Sequence, residues 1–143
     1  MYRVVALLLS LTPAPTPYAA ATQTAADTLP ERVVAQAYDA FNRADAAAFF
    51  SFFAPTWYHS VMEDTVAGPS RRVREDSSRD LTQHWANGGT KPTLKVVRRL
   101  VLGPYVVDEQ VREPGGTLHL DIFEVRKGKI VHEWESGPSG KTR

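Results

Sequence analysis

The segment from Thr117 to Glu135 reads TLHLDIFEVR, then Lys127-Gly128, then KIVHEWE. Its first arm alternates. Leu118, Leu120 and Ile122 take one face; Thr117, His119, Asp121, Phe123 and Val125 take the other. Two such runs joined by Lys127-Gly128 predict a β-hairpin. With the same alternation carried into the second arm, Ile130, His132 and Trp134 share a face. An aspartate on a mostly apolar strand face is costly unless it is paired, protonated or in use. Asp121 is therefore the first functional candidate.

Upstream of this hairpin the chain is already strand-like. Thr93 to Leu102 is rich in β-branched residues, Gly103-Pro104 turns it, and Tyr105 to Glu113 runs to Pro114-Gly115-Gly116. Before that come helical patterns. Pro30 suits a first turn, and Val33, Val34, Ala37, Tyr38 and Phe41 follow at helical spacing. Asp45 caps a second short helix, Ala46 to Phe53, which Pro55 ends. A strand is expected at Trp57 to Met62, with Trp57, His59 and Val61 on one side, then a loop from Glu63 to Pro69. A helix is expected from Ser70 to Asn87, with Val73, Leu81 and Trp85 inward and Gly88-Gly89 as its stop. Helices followed by a run of strands with short turns predict an α+β fold, an antiparallel sheet with helices on one face.

Residues 1–21 have the order of an export signal: Arg3, an apolar run from Val4 to Leu11, and Ala19-Ala20-Ala21 as a cleavage site. A secreted or periplasmic location is expected, with 22–29 as linker, 30–136 as a single domain and 137–143 as a flexible tail. The apolar run is too short to span a bilayer. The 143 residues suffice for one real core. There is no cysteine, which excludes disulfides, a thiolate nucleophile and cysteine-based zinc sites. The net charge is +1, and Arg71, Arg72, Arg74 and Arg79 are interleaved with Glu75, Asp76 and Asp80, so no phosphate track is expected. No local histidine-carboxylate metal spacing, G-x-S-x-G elbow, phosphate loop or dinucleotide fingerprint occurs, and no cofactor or metal is expected.

Three stretches carry a family resemblance. VVAQAYDAFNRADAAAFFSFFAP, Val33 to Pro55, resembles the opening helices of the nuclear transport factor 2-like superfamily. VLGPYVV, Val101 to Val107, and LDIFEVRKGKIVHEW, Leu120 to Trp134, resemble its central and last strands. More narrowly, the chain is similar to SnoaL-like polyketide cyclases and steroid delta-isomerase relatives. The resemblance covers nearly all of the chain after the leader. It implies a cone, with helices closing a curved antiparallel sheet around a pocket. Asp121 matches the acid that SnoaL-like cyclases use as general acid/base. In ketosteroid isomerases a protonated acid there donates a hydrogen bond to the substrate oxyanion. Tyr38 falls near the isomerase's oxyanion tyrosine. The isomerase's general-base aspartate falls at or beside Val61, which takes no proton, and this argues against authentic ketosteroid isomerase activity. The superfamily spans isomerases, cyclases, dehydratases, hydrolases and proteins without known catalysis, so the fold does not fix the function.

The expected catalytic residues are Asp121 as acid/base or oxyanion donor, His59 as partner base and Tyr38 as hydrogen-bond donor. An imidazole, which titrates near neutrality, suits the base role. For each there is a structural alternative: Asp121 bonded to backbone or to Tyr38, His59 satisfied at a pocket rim, Tyr38 a core tyrosine. The expected ligand lining is Trp57, Val61, Phe53, Trp85, His119, Phe123, His132 and Trp134. Together these describe an exported protein that binds a small apolar or aromatic molecule and catalyses isomerisation, cyclisation or dehydration. The alternative is a non-catalytic ligand-binding or dimerisation module, a homodimer through the outer sheet face around Val97, Arg99, Val107 and Glu109 or their opposite-parity neighbours.

Overall fold

The computed structural model describes residues 29–62 and 68–136. The expected signal at 1–21, the linker as far as residue 28, most of the 63–69 loop and the 137–143 tail lie outside the described residues. Helix α1 spans Pro30–Asn42 and buries Val33, Val34, Ala37, Tyr38 and Ala40 along one stripe. Pro30 sits at its start, where no backbone donor is needed. Helix α2, Ala46–Ser51, is capped by Asp45, whose Oδ1 accepts from the Ala48 amide at 2.9 Å.

Strand β1 is Phe53–Val61, longer at its start than the sequence predicts. Pro55 falls within it, in the stretch where pairing to the last strand is irregular. Ser70–Val73 is not helical as expected. It forms β2, an edge strand antiparallel to β1, and only then does α3, Arg74–Ala86, begin. Backbone pairing along the open edge of β1 outweighs local helix propensity there. Val73 is consequently exposed, while Leu81 and Trp85 pack inward.

The remaining strands fall where the sequence sets them: β3 Thr93–Leu102, β4 Tyr105–Glu113, β5 Thr117–Arg126 and β6 Lys129–Glu135. Lys127 and Gly128 both have positive φ, 50° and 69°, the geometry of a type I′ hairpin turn. The curved sheet has the order β2-β1-β6-β5-β4-β3. Its pairs are antiparallel except β1 with β6, which run parallel and close the first strand against the last. The helices cover one face, α1 across β3 to β6 and α2 and α3 against β1. Between helices and sheet lies one core, in which Phe49, Phe50, Phe53 and Trp57 make edge-on or tilted ring contacts.

Candidate functional site

The same core encloses a cavity of about 200 Å³. Its apolar wall comes from α1, α2 and β1: Tyr38, Phe41, Phe49, Phe50 and Trp57. Its polar wall comes from β4 to β6: Arg112, Asp121, Glu133 and Glu135. A larger open groove lies between α2 and α3, but its charges are already paired, Arg74 with Glu75 and Arg79 with Asp76.

The alternation of β5 holds. His119, Asp121, Phe123 and Val125 are buried on the inner face. Asp121 is 1% exposed. Its Oδ2 accepts from Gln110 Nε2 and lies 3.6 Å from the Arg112 guanidinium, while Oδ1 is buried without a hydrogen-bond partner. Burial raises its pKa to about 7; Arg112 opposes this, and the charges of Glu135 and Asp108 add to it. The Tyr38 hydroxyl is likewise buried without a partner, and burial, with Asp121 next, holds its pKa well above the usual value. Asp121 and Tyr38 thus meet at the cavity as groups able to donate, not bonded to each other.

The alternation of β6 does not hold. Val125 pairs with Ile130 but Glu124 with His132, so one extra residue enters β6 at Val131. Such a bulge reverses which side chains face inward beyond it. Ile130 remains in the core, while Glu133 and Glu135 line the cavity. His132 and Trp134, expected as lining, face the other side. His132 bonds Ser60 Oγ at 2.9 Å and stacks on Trp134 at 3.6 Å. The adjacent apolar pair Ile130-Val131, which interrupts the alternation, was the available sign.

The two missed carboxyls differ. Burial raises the Glu133 pKa to about 8, with the charges of Asp121 and Glu135 adding to it. Burial also acts on Glu135, but the hydrogen bond from His59 and the charge of Arg112 outweigh it and hold Glu135 below the usual range. Arg112 Nη2 is 2.5 Å from Glu135 Oε1, and His59 Nε2 is 3.2 Å from Oε2. His59 itself lies in an outer groove with Arg72, Ser77 and Asp80, and Trp57 and Glu133 line both groove and cavity. His59 therefore touches the cavity through Glu135.

Of the other expected lining residues, Trp57 lines the cavity. Val61 is exposed at the end of β1. Phe53 and Phe123 are core residues behind the wall, Phe123 edge-on to Tyr38. Trp85 packs edge-on against Phe41, and the His119 ring bonds the Ser136 carbonyl at 3.2 Å. Among the described residues no three histidine, aspartate or glutamate side chains are placed to hold a metal ion, and no helix is long and apolar enough to cross a membrane.

No protein-family model matches the sequence, and no curated protein matches it. Solved structures do. A proposed ketosteroid isomerase from Kribbella flavida superposes with a TM-score of 0.65 at 16% identity, over 80% of this chain and 81% of that one. IdmH, a proposed polyketide cyclase from Streptomyces antibioticus, gives 0.56 at 23% identity, over 74% and 89%. A protein of ketosteroid isomerase-like fold from Catenulispora acidiphila, in complex with trimethylamine, gives 0.57 at 14% identity, over 75% and 85%. The chain has the nuclear transport factor 2-like fold.

Proposed function

We propose that this protein is an exported, SnoaL-like binder of a small apolar or aromatic molecule and acts on it by proton transfer. The observation that carries the reading is the pair Asp121 and Tyr38: two buried polar groups, 1% and 5% exposed, each with an oxygen free of partners at one aromatic-walled cavity. Such groups cost stability unless something else satisfies them, and a ligand oxygen would. With its pKa raised to about 7, Asp121 keeps a protonated form near neutral pH that donates a hydrogen bond to a substrate carbonyl or hydroxyl, and Tyr38 donates a second. On the same wall Glu135 stays ionised and accepts a proton, with His59 behind it as the exchange group to solvent. A donor and an acceptor with pKa values pushed apart, facing one cavity, suit isomerisation, cyclisation or dehydration. The fold's neighbours include proteins proposed for two of these chemistries.

The cavity is below the 300–1,000 Å³ typical for drug-sized ligands, so single-ring ketones and hydroxy-aromatics come first. A thermal-shift screen with these compounds should give hits in the wild type that are lost in Asp121→Asn and in Tyr38→Phe. Hits that survive both substitutions would place the ligand elsewhere and sink the reading.

A specific observation favours a second reading, a dimerisation module. Leu100 and Leu102 on β3 are 53% and 56% exposed, and Leu118 and Leu120 on β5 are 41% and 40% exposed. Sedimentation of the purified protein decides whether this outer surface pairs.

A further inference from the structure

Three carboxyls face the cavity, Asp121, Glu133 and Glu135, against one guanidinium, Arg112. Arg112 is committed to Glu135 at 2.5 Å and stands 3.6 Å from Asp121. Among the described residues Glu133 makes no side-chain hydrogen bond or ion pair. The cavity is therefore acidic, and Glu133 lacks a counter-charge. A metal ion is not the fitting one, since no three of the described acids and imidazoles come close enough together to hold it. The opposite wall is aromatic: Trp57, Tyr38, Phe49 and Phe50. Carboxyls facing aromatic rings are the chemistry that holds a substituted ammonium group, through charge on one side and cation–π attraction on the other. An independent feature points to an occupant: the Tyr38 hydroxyl, 5% exposed, lines the cavity and has no partner.

Size narrows the choice. The space is about 200 Å³, and a dry apolar cavity of about 150 Å³ holds benzene. We propose that the cavity's ligand is a cation, a molecule of one ring or less carrying a substituted ammonium group, held by Glu133 among the rings of Trp57, Tyr38, Phe49 and Phe50. This rests on the cavity reading above and specifies its substrate class. Anions are rejected by the same excess of carboxyls.

The groups that face the bound charge are Tyr38 from α1, Arg112 from β4, Asp121 from β5, and Glu133 and Glu135 from β6, with His59 from β1 behind Glu135 and the paired Arg99 from β3 and Asp108 from β4 behind Tyr38. Binding a cation ionises Glu133 and releases a proton to the buffer.

Calorimetry of the full chain with three probes tests this: benzyltrimethylammonium, its uncharged carbon isostere neopentylbenzene, and phenylacetate. The ammonium should bind about tenfold more tightly than the isostere. Its heat should differ between phosphate and HEPES buffers, as proton release requires. In Glu133→Gln, shown to be folded by its melting curve, the ratio of the two affinities should fall toward one. Equal or tighter binding of the isostere or of phenylacetate overturns the cation while leaving the cavity reading intact. No binding by any of the three probes overturns the cation, while the screen with ketones and hydroxy-aromatics decides the cavity reading separately. An unchanged ratio in Glu133→Gln overturns the assignment to Glu133.

Discussion

Asp108 and Asp121 stand directly opposite each other on β4 and β5, both buried, and only Asp108 has a guanidinium to itself. Arg99 grips it with two hydrogen bonds, Nε to Oδ1 at 2.7 Å and Nη2 to Oδ2 at 2.6 Å, and also donates to the Glu31 carbonyl on α1. Asp121 must share Arg112 with Glu135. Like charges directly across two strands are unfavourable, so the charge of Asp108 adds to burial in raising the Asp121 pKa. One aspartate ties the helix to the sheet and the other is left with a titratable proton at the cavity.

Arg99→Met therefore strips the partner from a carboxyl that is 0% exposed. Leaving a buried charge unpaired costs about 3–5 kcal/mol, and urea unfolding should show a loss of that order. A loss below about 1 kcal/mol would mean that the pair is no stronger than a surface ion pair.

Asp121→Asn should leave the melting temperature at neutral pH unchanged or raised, because it removes a buried carboxyl that begins to ionise there and has one oxygen without a partner. Turnover of any identified substrate should fall by about 10²–10⁴, the usual share of a general acid or base. A collapse of folding instead would assign Asp121 a structural role.

Stability should fall as pH rises from about 4 to 8. Asp121 moves from an ordinary 3.8 to about 7 in the fold and Glu133 from 4.5 to about 8, so the native state holds more protons than the unfolded one across this window. Their contribution is fully present below the unfolded values and lost as pH passes the folded ones. For Asp121 alone it is roughly 4 kcal/mol at most, and the two are coupled, so the effects do not add. Glu135, held low, acts in the opposite sense and loses its contribution as pH falls below its ordinary 4.5. Melting curves from pH 4 to 9 should show the decline, and Glu133→Gln should flatten it. A wild-type curve that rises across the window would contradict the protonated acids.

Deleting Val131 removes the extra residue of β6 and restores strict alternation. The pairs Glu124 with His132 and Phe123 with Glu133 are kept, so Glu133 and Glu135 stay inward and Trp134 outward. The deletion variant should keep cooperative unfolding and the pH dependence described above. Circular dichroism melts at two pH values check both, and loss of either would show that pairing to β5 does not hold Glu133 and Glu135 at the cavity.

If the outer surface is a dimer interface, Leu100→Glu should convert a sedimenting dimer to monomer without lowering the melting temperature of the monomer. A wild type that sediments as a monomer at tens of micromolar removes that reading.

Much of this protein is legible along the chain. The α1 stripe, the Asp45 cap, the four later strands and the inward row His119, Asp121, Phe123 and Val125 follow from local rules: side-chain period, capping and turn geometry. These rules act between neighbours in sequence, so a sequence suffices to apply them. What the tertiary structure decided depends on pairing between distant strands. Ser70–Val73 became a strand because the edge of β1 lay beside it. β1 runs parallel to β6 because the sheet closes first strand on last. The bulge at Val131 exists only in the register between β5 and β6, and it exchanged His132 and Trp134 for Glu133 and Glu135 at the cavity. Two identical residue types, Asp108 and Asp121, took opposite electrostatic roles because a guanidinium from β3 reached one of them alone. Charge, burial and partnership are properties of three-dimensional neighbours, and the acid/base character of the site comes from those neighbours.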